Sequence, residues 1–183
     1  PAVAVNGTQK VNALNFEDGV VTLNGGTLIL TNWTATKVAG SALVKSVIGG
    51  AGLTVDGPGY LALAGANTYT GPTTINGGIL MVGAASGVIP DGSAVTIGAT
   101  GTLDLYDGLF SMTSYNETIG SLAGAAGAIV NVPATYTLTF GGDNTDTLWD
   151  GITQGGGSLT KVGTGLINIV DAGVIAETLT ISG

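Results

Sequence analysis

The sequence predicts an all-β domain of many short strands, and three observations carry that prediction. Thirty-three of 183 residues are glycine, and almost every stretch of ten residues contains at least one. No long segment places apolar residues at helical spacing, and Ala-rich stretches such as Gly124-Ala125-Ala126-Gly127 are broken by glycine. Short alternating runs rich in Val, Ile, Thr and Leu recur instead. In chain order they are Val20–Leu23, Thr27–Leu30, Tyr60–Leu63, Ile79–Val82, Ala94–Ile97, Thr102–Leu105, Tyr136–Phe140 and Leu179–Ile181. Each reads as a strand because β-branched and aliphatic residues suit a pleated surface, and each is bounded by Gly, Asn or Asp.

Composition excludes several functions. The length fits one domain over 1–183, large enough to bury a core. Positive charge comes only from Lys10, Lys37, Lys45 and Lys161, against twelve acids, for a formal net charge of -8. A chain without a basic stripe gains no counterion-release energy from phosphates, so nucleic acid is excluded as a partner. Without His or Cys there is no Ser-His-Asp or Cys-His nucleophile, no disulfide and no ordinary zinc site. A thiol-free chain is compatible with export. Positive mean hydropathy raises the question of a membrane span. Thr118–Gly142 is uncharged, but Gly, Thr, Asn131 and Pro133 interrupt its apolar residues, which argues against a spanning helix. Pro1 opens without Met or an apolar leader, so the N-terminus is expected to be processed or trimmed.

Internal repetition decides what the strands add up to. Thr22-Leu23-Asn24-Gly25-Gly26-Thr27-Leu28 aligns with Thr74-Ile75-Asn76-Gly77-Gly78-Ile79-Leu80, an offset of 52, and a looser copy begins at Thr96-Ile97. Leu53–Gly77 also lies over Leu159–Gly183 without a gap, an offset of 106 with eight of 25 pairs identical. The offset of 22 between Thr74 and Thr96 suggests coils of about 20 residues, five of which approximate 106. Two architectures remain open at this point. Asn-Gly between alternating strands is a hairpin signal and favours an antiparallel sandwich or barrel. Recurrence at a coil length favours a parallel β-solenoid, with Asn-Gly as a sharp corner.

Residues Gly65 to Gly83 read Gly-Ala-Asn-Thr-Tyr-Thr-Gly-Pro-Thr-Thr-Ile-Asn-Gly-Gly-Ile-Leu-Met-Val-Gly, preceded in register by Gly59-Tyr60-Leu61-Ala62-Leu63-Ala64. This closely resembles the passenger-associated transport repeat of autotransporter adhesins, with Pro72 where the family usually has Gly. The structural motif residues are Gly59, Leu61, Leu63, Gly65, Asn67, Tyr69, Gly71, Thr74, Ile75, Asn76, Gly77 and Gly78. Within the single domain, 43–105 is the best-matching repeat region, 106–183 a second, degenerate repeat and 1–42 irregular N-terminal coils. In the second repeat Ala172-Gly173-Val174-Ile175-Ala176 replaces the Asn-Thr-Tyr-Thr-Gly element. The resemblance implies a right-handed parallel β-helix of roughly eight coils, exported through a Gram-negative outer membrane by a translocator and displayed or released outside. Its partners would be a host or neighbouring-cell surface, or copies of itself.

Chemistry is left to carboxylates, hydroxyls, Lys and Tyr. Asp104 with Asp107, and Asp143, Asp146 and Asp150 with Asn144, form two acidic clusters. Oxygen ligands in Gly-rich loops suit Ca²⁺, for which Asp143, Asp146 and Asp150 are the candidates, and paired carboxylates suit glycoside hydrolysis. The plainer reading makes them corner residues forming Asx-turns. Trp33 and Trp149 with Tyr60, Tyr69, Tyr106, Tyr115 and Tyr136 suggest either a sugar-stacking platform or rings that cap and stack along the core. The missing Arg counts against a polysaccharide lyase. The threonines and Asn24 and Asn76 are expected to bond between coils. The expectation is a non-enzymatic structural or adhesive β-helix with no catalytic residues and no cofactor. The alternatives are a filament or sheath subunit stacking end to end, and a carbohydrate-binding or carbohydrate-active β-helix.

Overall fold

The chain winds through three parallel sheets in a fixed order, and residues about 20 apart lie side by side on successive turns. The computed structural model describes residues 1–31, 35–84, 87–110, 113–170 and 178–182. These contain strands, turns and bends but no helix. The first sheet stacks Ala2–Ala4, Val20–Asn24, Ser41–Val44 and Tyr60–Leu63, then the second halves of Thr73–Val82 and Ala94–Asp104, then Ile129–Asn131 and Ile152–Gln154. These eight parallel strands mark about eight turns, as the sequence predicts. At about 4.8 Å per step they make a rod about 40 Å long.

The second sheet begins with Thr8–Val11, Thr27–Leu30 and Val47–Gly50, and resumes with Glu117–Thr118, Thr137–Phe140, Ser158–Lys161 and Thr178–Ile181. The third sheet stacks Asn15–Phe16, Ala35–Val38 and Leu53–Asp56, the first halves of the two long strands, then Ser121–Gly124, Thr147–Trp149 and Ile167–Ile169. Val20–Asn24 and Thr27–Leu30 therefore never pair with each other; Asn24-Gly25-Gly26 is a corner between two sheets. That settles the choice in favour of the solenoid.

The offset of 22 is a true single turn, because Thr74 pairs with Thr96; past an irregularity between Ile75 and Gly77 the pairing continues at 23, as between Gly78 and Gly101. The offsets of 52 and 106 are not whole turns. Thr22 lies in the first sheet and Thr74 in the third; Leu53 lies in the third and Leu159 in the second. Both shifts move the sequence round the coil by two sheets as well as along it, so 106 residues make fewer than five turns here. The cause is chemical: every corner needs an apolar strand end, a sharp bend and a new strand, so the same short sequence serves different corners. The turn from Thr102 to Ile129 is also lengthened, by an antiparallel excursion that pairs Tyr106–Asp107 with Thr113–Ser114.

Alternation sorts each strand into an inner and an outer set. Leu61, Leu63, Ile75, Leu80, Val82, Ile97 and Leu103 are fully buried in a continuous core. Each such side chain contributes about 1.5–3 kcal/mol on leaving water. Close stacking leaves no room for a Cβ at certain corners. A Cβ on Gly71 would lie 1.7 Å from the Ala51 carbonyl oxygen. Gly78 combines a φ of 73° with the Gly57 carbonyl 2.5 Å from where its Cβ would sit. On the outer face of the first sheet, Leu43, Ala62 and Met81 occupy one register row and form a small second cluster with Phe110 of the excursion packed on it.

Candidate functional site: the repeat motif and the corner groove

The motif residues lie where the second sheet departs from regular strand pairing. Between Val47–Gly50 and Glu117–Thr118 the chain passes through 67–70 and 88–89 without forming strands. Thr68 and Thr70 N–H still donate to Ile48 and Gly50 carbonyls, at 2.8 and 3.1 Å. Side chains complete the stack. Asn67 is buried; its Oδ1 accepts from Ile48 N–H at 2.7 Å and its Nδ2 donates to the Val88 carbonyl at 2.6 Å. One amide thus joins three turns. An amide suits the position because it carries a donor and an acceptor in one plane, as a peptide group does.

Tyr69, 1% exposed, places its hydroxyl 2.8 Å from Thr73 Oγ1, which lies 2.9 Å from Ser93 Oγ. Ser93 Oγ donates in turn to the Gly71 carbonyl at 3.0 Å. Burial pushes the Tyr69 phenol above its ordinary value, against the opposing Thr73 hydrogen bond, and keeps it neutral. The chain of hydroxyls satisfies polar atoms that have left water, which makes it structural.

Sequence reasoning assigned no role to Glu117. Its side chain is buried, and Oε1 accepts from Gly87 N–H at 3.2 Å and from Ile89 N–H at 3.1 Å; Oε2 also accepts from Gly87 N–H at 3.2 Å. The carboxyl takes the place of a neighbouring strand for this irregular segment. Desolvation pushes its pKa up to about 7, opposed by the backbone hydrogen bonds and assisted by Asp91. A sequence signal existed: one acid among Tyr115, Ile119 and Leu122, beside a long uncharged stretch.

The acidic clusters behave as corner residues. Asp143 Oδ1 accepts from Thr145 N–H at 3.0 Å, and Asp146 Oδ1 from Leu166 N–H at 2.8 Å on the next turn. Asn144, at φ 61°, accepts from Thr164 N–H at 2.9 Å. Asp150 follows the strand Thr147–Trp149, and its N–H donates to the Gly124 carbonyl. Asp104 Oδ1 accepts from Tyr106 N–H and from Asn131 Nδ2, while Asp107 lies in the antiparallel excursion. Among the described residues no three acidic groups are placed to share a metal ion.

Among the described residues the aromatic side chains share no platform. Trp149 and Tyr69 are core residues, Tyr115 and Tyr136 pack against the core, and Tyr60 is 38% exposed on the outside of the first sheet. Trp33 and the segment 172–176 lie outside the described residues. Asn76 bonds between coils as expected, its Nδ2 donating to Asp56 Oδ1 at 2.7 Å. Asn24 does so through its backbone, its carbonyl accepting from Val5 N–H. Thr54, Thr74 and Thr96 share one outer row of the third sheet.

A groove missed at the level of sequence runs along the corner between the third and first sheets. One hollow of about 520 Å³ is lined by Asp56, Gly57, Pro58, Asn76, Gly77, Gly78, Ile79, Thr100 and Thr102. A second, of about 380 Å³, is lined by Asn15, Glu17, Val38 and Ala39 and shares Asp56, Gly57 and Pro58 with the first. Together they cross five successive turns. No local pattern announces the groove, because its wall residues are one turn apart in sequence and meet only by stacking.

The fold and these contacts define a repeat protein of stacked parallel coils whose motif residues bond one coil to the next. Residues 53–82 match the family model described as the passenger-associated-transport-repeat. The chain is also similar to the Adhesin BmaC autotransporter of Brucella suis biovar 1 (strain 1330), with 36% identity over 102 residues. That match covers 51% of this chain and 3% of the adhesin's length. No solved structure matches the chain.

Proposed function

We propose that the chain is a segment of the exported passenger of a Gram-negative autotransporter, displayed at the cell surface as a non-enzymatic stalk with adhesive sides. The observation that carries this reading is the repeat at 53–82, whose motif residues are spent on joining coils and not on chemistry. Similarity to an adhesin supports a binding role, with a cell surface as the partner and an outer-membrane translocator as a transient partner during export. A stack in which each coil rests on its neighbour suits folding that proceeds as the chain emerges. The reading needs no cofactor, and chelation of calcium is expected to leave the melting curve unchanged.

The test has two parts. Beads coated with the chain are expected to adhere to cells above an albumin-coated control, and absence of adhesion would overturn the adhesive reading. Light scattering over a wide concentration range is expected to report a monomeric rod of about 40 Å. Growth into uniform filaments would instead favour end-to-end stacking of copies.

A further inference from the structure

We infer that the corner groove is a binding site for an uncharged linear glycan; this rests on the adhesive reading and names its ligand class. The groove offers polar groups at a regular interval. Asp56, Asn76 and Thr100 belong to three successive turns, with Glu17 two turns before Asp56, and adjacent turns stack about 4.8 Å apart, close to the advance of a linear sugar chain per ring. The Asn76–Asp56 hydrogen bond uses one amide hydrogen and one carboxylate oxygen. Asn76 Oδ1, its second N–H and Asp56 Oδ2 remain for a ligand that both donates and accepts, as sugar hydroxyls do. Pro58 and Ile79 supply the apolar surface on which the C–H faces of sugar rings pack. Tyr60 adds a half-exposed ring in the same outer row as Ile79 and Thr102.

Other occupants fit less well. An extended peptide would seek a free strand edge, but the strands flanking the groove are paired on both sides: Thr73 with Leu53 and Val95, Ile79 with Tyr60 and Thr102. Among the described side chains the lining carries the acids Asp56 and Glu17 and no positive charge, which opposes a sulfated or uronic polymer.

The test is titration calorimetry of the full chain with cellohexaose, chitohexaose and xylohexaose, and with a heparin hexasaccharide as the anionic control. Two variants alter the groove: Asn76→Ala removes polar groups, and Thr102→Trp fills it. At least one uncharged hexasaccharide is expected to bind, and both variants to weaken it tenfold or more, with thermal melting unchanged in Thr102→Trp and lowered by only a few degrees in Asn76→Ala, which loses one exposed bond between coils. The heparin fragment is expected not to bind. Absence of binding by all three uncharged sugars, binding indifferent to both variants, or competition by heparin would overturn the inference. Bead adhesion, run in parallel, separates the two failures. Adhesion without glycan binding sinks the groove assignment alone, whereas glycan binding without adhesion sinks the adhesive role and leaves the groove.

Discussion

The first and second sheets of the solenoid hold their turns together by different means. In the first, eight strands follow one another through backbone pairing, which asks only for residues that tolerate a strand and an apolar inner row. In the second, regular pairing lapses between Val47–Gly50 and Glu117–Thr118, and Asn67 and Glu117 take over with side-chain groups. A backbone ladder is indifferent to sequence. A side-chain bridge is not, because only an amide matches the donor and acceptor that Val88 and Ile48 present. The recognisable motif therefore falls where the ladder is missing, and the regular sheet is the less distinctive part of the sequence.

The most disruptive test of this contrast is Gly71→Ala. The new Cβ cannot share space with the Ala51 carbonyl, so the turns must part, and urea unfolding is expected to show a loss of at least about 4 kcal/mol. Next is Asn67→Ala, which leaves Ile48 N–H and Val88 C=O buried without partners. The expected loss is about 3 kcal/mol, from two groups at about 1–3 kcal/mol each. A loss below about 1 kcal/mol would mean that the segment pairs by another route.

Glu117 sharpens the comparison through pH. Its folded pKa is about 7, above the ordinary carboxylate range, so the folded chain binds the proton more tightly than the unfolded chain. Its protonated form therefore contributes stability that is fully present below the unfolded pKa and fades as pH rises through about 7. Over that interval this one group should cost the fold about 3 kcal/mol. Protonation does not undo the cap, because Oε1 alone reaches both Gly87 and Ile89 N–H. Glu117→Gln is accordingly expected to keep the fold and flatten the pH dependence of the melting temperature between pH 5 and 8. An unchanged slope would place the titration elsewhere.

The smallest effect is expected on the outer face of a regularly paired sheet. Thr54→Val touches no side-chain bridge and should shift stability by no more than about 0.5 kcal/mol. A large loss there would show that the threonine row bonds between coils and that the regular sheets are as sequence-dependent as the motif.

Sequence alone determined the strand class, the coil length near 20 residues, the absence of thiol, imidazole and guanidinium chemistry, and the motif from Gly59 to Gly78. Those features are local: period-two alternation, glycine where a corner must turn, and Asn67 and Tyr69 at fixed places in one contiguous run. Tertiary structure alone decided which repeats superpose, since the offsets of 52 and 106 carry the chain to a different sheet. It also decided that the acids Asp104, Asp143 and Asp146 serve corners, that Glu117 replaces a strand, and that Asp56, Asn76 and Thr100 line one groove. The reason is that a coil brings together residues about 20 apart, and the exact spacing depends on each corner and on the excursion at 106–114. A change of one or two residues in any turn alters which groups meet, and only the stacked coils record the outcome.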